Sequence, residues 1–323
     1  MRREIMEHYS IIHDFRNAGF HESEEHRQIL REIEAGVHHG RFMVLSGIVG
    51  CGKTTTLNRL QEKLTEKGEV LVAKSMSVDK ERVSLSTLLL AMFYDLATEK
   101  DFVIPTQSER RERALRELIR KRKKPVVLVI DEAHDLQSKT LVGLKRLMEM
   151  VRYGGGTLSV VLAGHPKLKN DLRRPVMEEI GNRATVFSLD NVHGANREYI
   201  YWLLKQCVKP DTAPNTLFQD EAVDLLAERL ATPLQIGQHI TLALEEAFHI
   251  GGQAVTVEVI ESVLAKDINE IEPILTRHGY GTKALTELLD INGTEVRKLL
   301  RGQLPPGRTN ELQSQMLKVG LPL

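Results

Sequence analysis

An α/β fold, with a parallel sheet covered by helices on both faces and an all-helical region behind it, is predicted by three features of this 323-residue chain. Residues 47–54 read Gly-Ile-Val-Gly-Cys-Gly-Lys-Thr, a glycine-rich loop set between a short apolar stretch and a helical one. Residues 125–130 form an unbroken apolar run that ends in Asp131 and Glu132, the mark of a central strand buried on both faces. Strand-like and helix-like stretches alternate up to about residue 195, and then the strand signals stop.

In order along the chain, residues 1–41 read as a polar helical segment in which Glu24, Glu25, Arg27 and Arg31 interleave with Ile29, Leu30 and Ile33. Strands are expected near 42–46, 69–74, 125–130 and 157–163, with a further apolar strand starting at Ala184. Amphipathic helices are expected at 85–98 and 107–122. Helical patterns at 196–207, 219–230, 235–249 and 256–266 predict a separate helical lid. The acidic, proline-containing stretch at 269–273 marks a second boundary, and a small helical unit runs to Leu323. The expected domains are therefore 1–41, 42–195, 196–268 and 269–323.

Composition limits the possible functions. Lys plus Arg and Asp plus Glu both number 44, so the formal net charge is zero and nucleic-acid binding has to come from local patches. With 41% hydrophobic residues the chain can bury a sizeable core. The two cysteines, Cys51 and Cys207, make no disulfide framework and suit a reducing cytoplasm. No apolar run is long enough to cross a membrane, and no apolar stretch follows the charged start Met1-Arg2-Arg3-Glu4. A cytoplasmic location without a membrane partner is expected.

The loop at 47–54 has the spacing G-x-x-x-x-G-K-T, which wraps a polyphosphate with backbone N–H groups and then opens a helix. Gly47, Gly50 and Gly52 permit the turns and the close approach, with Cys51 between them. Lys53 supplies a point charge for the β- and γ-phosphates, and the helix it starts, with Thr54 and Thr55 in its first turn, aims its positive end at them. Thr54 offers a hydroxyl to Mg²⁺. Asp131, at the end of its strand, would help hold the metal, and Glu132 would orient and deprotonate the attacking water. The implied cofactors are ATP and Mg²⁺. His134 reads either as a surface residue or as a reporter of nucleotide state. His165, at the end of the strand 157–163, can sit between the carboxylate and the γ-phosphate, or occupy an ordinary turn before Pro166. Arg173, Arg174 and Arg183 have little nearby in sequence to neutralise them except Glu178 and Glu179. Arg183, just before a strand, is the best placed to complete a neighbouring copy's site; the alternative is three solvated arginines.

Taken in this order, the loop 47–54, Asp131-Glu132, His165, Arg183 and the helical lid resemble the AAA+ ATPases. That resemblance implies a P-loop AAA+ core, a lid, and work as an assembly of copies, in a ring or helical filament. Within the class, three stretches resemble the DNA-transposition regulators, the group of TnsC, TniB, IstB and the phage Mu target-selection ATPase. They are residues 74–82 with the following 87–96, residues 161–168, and residues 231–236. The nearest competitor is the ExeA-like group of secretion-associated ATPases, which shares the same core. AAA+ lids commonly carry an arginine that reaches the γ-phosphate; here Ala231-Thr232-Pro233-Leu234-Gln235 places Leu or Gln there, which favours a slow switch over vigorous hydrolysis.

Lys74, Lys80 and Arg82, with Ser75, Ser77 and Ser84, suit contacts to DNA phosphates. The resemblance implies that this part of the core holds double-stranded DNA largely without regard to sequence. Arg110 to Lys124 is also strongly basic, but Glu109, Glu112 and Glu117 interleave, and a solvated helix face before a buried strand is the preferred reading over a DNA contact. Residues 283–289, the turn Asp290-Ile291-Asn292-Gly293 and residues 294–301, capped by Thr294, have the helix-turn-helix pattern with Arg297, Lys298 and Arg301 facing a duplex. A docking module for a protein partner fits the same pattern. The expected function is an ATP-dependent regulator that assembles on target DNA and recruits or activates a transposase, with a target-selector protein as a further partner. The rivals are an ExeA-like envelope-assembly ATPase, a replication-initiator or helicase-loading ATPase, and a helix-turn-helix regulator that only binds nucleotide.

Overall fold

The computed structural model describes residues 1–75, 83–97, 104–189, 196–264 and 270–322. Its elements begin with α1 (Arg3–His8), α2 (Glu24–His38), β1 (Phe42–Ser46), α3 (Lys53–Lys67), β2 (Leu71–Lys74), α4 (Leu85–Leu96) and α5 (Ser108–Arg122). They continue with β3 (Val126–Ile130), α6 (Ser138–Tyr153), β4 (Leu158–Gly164), α7 (Pro166–Leu172), α8 (Glu178–Gly181) and β5 (Ala184–Ser188). Then come α9 (Asn196–Cys207), α10 (Asp220–Arg229), α11 (Pro233–His249), α12 (Val257–Val263), α13 (Ile271–Arg277), α14 (Thr282–Leu289), α15 (Gly293–Leu300) and α16 (Pro306–Lys318). They fall into two compact units, one of Glu24–Gly47 and Lys53–Leu189, the other of Met1–Ser23, Ile48–Gly52 and Asp190–Leu323.

The first unit is built on a five-stranded sheet of order β2-β3-β4-β1-β5 in which every pairing is parallel. Every residue of β1, β3 and β4 is buried. Successive strand residues point to opposite faces, so both faces of the sheet are covered. That explains why these strands read as unbroken apolar runs. Leu88, Met92 and Phe93 of α4, Leu115 and Ile119 of α5, and Leu144 and Leu147 of α6 share one apolar cluster with Val44, Leu128 and Leu162. Burial of each such side chain contributes about 1.5–3 kcal/mol. From β1 the chain crosses to β2 at the far edge, returns through β3 to β4, and completes the sheet with β5 on the other side of β1. The strand order reverses at β1, and such a point opens a crevice beyond the strands' C-terminal ends.

In the second unit Ile200, Leu204, Phe218, Leu226, Ile236 and Ile240 form an apolar core shared by α9, α10 and α11. Ile5, Tyr9, Ile11 and Phe15 belong to the same core, so the start of the chain packs with the late helices, and the Tyr9 hydroxyl donates to the Gly252 carbonyl at 2.9 Å. Leu275, Leu285, Val296, Leu312 and Met316 make a separate small core for α13 to α16. The cap of α15 differs from the sequence expectation. Asn292 holds it, in extended backbone with its Oδ1 accepting from Glu295 N at 2.8 Å. Thr294 already lies inside the first turn, where its hydroxyl cannot reach forward to cap. Among the described residues no helix is long and apolar enough to cross a membrane.

Candidate nucleotide site

The register of the sheet assembles the site. Ser46 pairs with Gly164 and Ile130 with Leu162, so the C-terminal ends of β1, β3 and β4 lie side by side. Gly47 N–H donates to Gly164 O at 3.1 Å, which ties the start of the loop to the end of β4. Lys53 opens α3, is 5% exposed, and donates from Nζ to Gly47 O at 2.9 Å. A buried ammonium is costly unless it is partnered, and this one is held back across the loop by a carbonyl. Thr54 donates from Oγ1 to Asp131 Oδ2 at 2.6 Å, while Asp131 Oδ1 accepts from Glu132 N at 2.9 Å. Thr55 is exposed on the first turn of α3.

Glu132 has φ 52°, in the left-handed region that costs a non-glycine residue about 1–3 kcal/mol and persists where surrounding structure enforces it. Two histidines flank its carboxylate. His134 Nδ1 lies 3.4 Å and His165 Nε2 3.8 Å from Glu132 Oε2. The two rings stack with centroids 3.7 Å apart. Burial holds His134 below the ordinary histidine range; Lys53 and Lys167 push the same way, against Asp135 and Glu132. A neutral His134 ring stacks on His165 without charge repulsion. Spacing alone could not show this stacking, because the two rings come from different strand ends.

The tip of the loop, Ile48–Gly52, is described with the helical unit. Gly50 and Gly52 have φ 83° and 92°, conformations that need glycine. Cys51 is buried. Leu234, at the start of α11, donates its N–H to Gly50 O at 3.3 Å, and a Cβ on Gly50 would stand 2.7 Å from Leu234 Cβ. Gln235 turns back, its Oε1 accepting from Ala231 N at 3.0 Å. Leu234 thus lies against the loop at Gly50. Val49 N–H donates to Arg277 O at 3.0 Å, a bond from the last turn of α13 that no local pattern announces.

The remaining expected residues lie elsewhere. Arg183 is 62% exposed and pairs with Glu149 of α6 at 2.5 Å, so its neutralising partner is 34 residues away and is neither Glu178 nor Glu179. Glu179 instead accepts from Lys145. The exposed Lys74 ends β2, its N–H donating to Asp95 Oδ2 at 2.8 Å; Lys80 and Arg82 lie outside the described residues. Arg297, Lys298 and Arg301 are exposed on α15 and just beyond it, with Val296 and Leu299 turned into the small core. The basic helix α5 is tied down locally. Arg111 donates to the Pro105 and Thr106 carbonyls, Arg122 to Leu96, and Arg116 and Arg120 pair with Glu117.

A strand, a phosphate-wrapping loop with its lysine, a threonine–aspartate pair and a glutamate at the strand end define a P-loop nucleoside triphosphatase. Residues 35–172 match the family model described as AAA domain. General secretion pathway protein A of Aeromonas hydrophila is 30% identical over 208 residues, 60% of this chain and 36% of that protein, so the chain spans little more than a third of that relative's length. Among solved structures, Cdc6p from Pyrobaculum aerophilum is similar with a TM-score of 0.55 at 16% identity, over 95% of this chain and 85% of the other. Drosophila ORC bound to DNA is similar with a TM-score of 0.54 at 17% identity, over 99% of this chain and 84% of the other. The fold is the AAA+ P-loop fold.

Proposed function

We propose that this ATPase is a nucleotide-controlled switch that assembles with copies of itself on double-stranded DNA, in the manner of an initiator- or loader-type AAA+ protein. The observation that carries the reading is the C-terminal unit, whose α15 turns Arg297 and Lys298 outward from a small apolar core, with Arg301 following. The likeness to ORC bound to DNA extends over 99% of the chain, and so reaches this unit. Lys74 adds a second cationic place on the core.

In the proposed cycle Lys53 leaves the Gly47 carbonyl for the phosphates, and the turn at Gly50 and Gly52 presents N–H groups to them. Thr54 and Asp131 offer two hard oxygen donors side by side, a set that suits Mg²⁺, which would neutralise phosphate charge when bound. Glu132 orients and deprotonates water, His165 sits beside it as the reporter of the γ-phosphate, and Arg183 of one copy completes the site of the next. Binding to unrelated duplexes with ATP and weak binding with ADP, followed by fluorescence anisotropy, is the test. DNA affinity that ignores the nucleotide would overturn the reading.

A second reading is an ExeA-like ATPase that drives assembly of an envelope complex, favoured by the 30% identical secretion-pathway relative. It predicts no ATP-dependent DNA affinity. Regulation of transposition would use the same DNA-bound assembly. It rests on the three sequence stretches, and the relatives reported above favour the other two readings over it. A transposase partner encoded beside this protein would bring it forward again.

A further inference from the structure

At the edge of the sheet away from Asp131 and His165, where β1 and β4 begin, lies a cavity of about 370 Å³. Its size falls in the range of ligand pockets. Phe42, Met148, Leu158 and Ile180 give it an apolar floor. Arg41, Lys145, Arg152 and Arg183 stand around it against a single lining carboxylate, Glu149. That carboxylate is already engaged, 2.5 Å from Arg183 and 3.1 Å from Lys145, and these two cations hold it below its ordinary range. Lys145 also pairs with Glu179 at 3.1 Å. The guanidinium groups of Arg41 and Arg152 have no hydrogen bond or ion pair among the described residues.

Unpaired guanidinium groups around a concave apolar floor repel one another, and the low-dielectric floor strengthens every charge interaction. The deficit is of negative charge. Guanidinium forks match the oxygen geometry of phosphate in a bidentate way. We propose that this cavity is a second anion site, for a phosphate-bearing group, with Arg152 and Arg183 as its grasping cations and Glu149 as the internal anion that keeps Arg183 docked until phosphate displaces it. Two sources of that chemistry fit. One is a free phosphorylated small molecule. The other is the terminal phosphates of a nucleotide held by a neighbouring copy, which would make the Glu149–Arg183 pair the latch on the trans-acting arginine. The inference needs no DNA; its neighbouring-copy source rests on the proposed trans role of Arg183, while its free-anion source stands apart from that reading.

Inorganic pyrophosphate is the probe, titrated by calorimetry into the full-length Lys53→Ala protein and, in parallel, into the parent protein saturated with ADP, so that the phosphate loop is removed from the measurement in two ways. One site is expected in both. Arg152→Ala should weaken it about tenfold or more, and Glu149→Gln should tighten it by removing the competing carboxylate. No residual site, or a site indifferent to Arg152→Ala and Glu149→Gln (an adventitious ion only), overturns the proposal. The source is read by adding parent protein loaded with a slow ATP analogue to Lys53→Ala. Loss of pyrophosphate binding on mixing assigns the cavity to a neighbour's nucleotide, and persistence assigns it to a free anion.

Discussion

The Thr54 hydroxyl donates to Asp131 Oδ2 at 2.6 Å, joining the first turn of α3 to the end of β3. This bond holds the start of the loop's helix at the end of β3, and it places the two oxygens beside the left-handed turn at Glu132. The geometry separates binding from chemistry. Lys53→Ala should abolish ATP binding, because the loop loses its buried cation. Glu132→Gln should bind ATP normally and hydrolyse it at least ~10²-fold more slowly, since an amide accepts no proton from water. Equilibrium binding of a fluorescent ATP analogue and single-turnover hydrolysis measure the two effects. A Glu132→Gln protein with parental turnover would remove Glu132 from the role of base.

Hydrolysis should depend on neighbours. Leu234 lies against the loop at Gly50, and Arg183 is exposed, paired only with Glu149 among the described residues. The specific rate should therefore rise with protein concentration, and Arg183→Ala should lower the assembled rate by about 10³-fold or more. A rate flat in concentration and unmoved by Arg183→Ala would make the site complete within one chain.

The stacked histidines give a pH dependence whose sign follows from burial. His134 sits below its unfolded value of about 6.5. The folded protein therefore prefers the neutral ring, and the unfolded chain takes up the proton first as pH falls. The stabilisation is complete above about pH 6.5 and is lost as pH drops through the lower folded value. Denaturant unfolding should show a midpoint that declines with acidification over this window. His134→Asn, which carries no proton, should flatten that decline. An unchanged slope would assign the acid sensitivity to other groups.

Gly50 is held at φ 83° with Leu234 against it. Alanine there meets both a left-handed backbone, costing about 1–2 kcal/mol, and a Cβ approach of 2.7 Å. Gly50→Ala should lower the thermal midpoint by roughly 3 °C or more. Gly52→Ala has the same backbone cost with open space around its Cβ, and should cost less. Equal midpoints for the two variants would mean that Leu234 yields without penalty.

How far the sequence carries depends on where each partner lies. The unbroken runs of β3 and β4 are visible because burial on both faces admits only apolar residues, and their boundaries fall within a residue or two of expectation. Asp131, Glu132 and His165 are visible because strand ends in a parallel sheet carry function. The Glu149 partner of Arg183, the His134–His165 stack and the Val49–Arg277 bond are not, because each joins segments far apart in the chain and leaves no local pattern. The cap of α15 shows the same limit at short range. Asn292 and Thr294 are both acceptable capping residues, and only the backbone decides which one is extended at the helix start.

Two exposed cationic places, Lys74 at the end of β2 and the outer face of α15, are the candidates for the proposed DNA contact. Cations of this kind contact phosphates rather than base edges, so binding should be nearly indifferent to sequence and steep in salt. Removing one cation that neutralises a phosphate should reduce the slope of log K against log salt by about 0.9. Combined Arg297→Ala, Lys298→Ala and Arg301→Ala is a better probe than deletion of the C-terminal unit, because it leaves Arg277 and its bond to Val49 in place. If α15 carries the duplex, the triple variant should bind every sequence more weakly alike and drop about 2–3 of slope, while Lys74→Ala changes little. If the core carries it, as the cations from Lys74 onward suggest, the triple variant should keep ATP-dependent binding and Lys74→Ala should weaken it. Retention of full affinity and slope by both variants would refute DNA binding through either place.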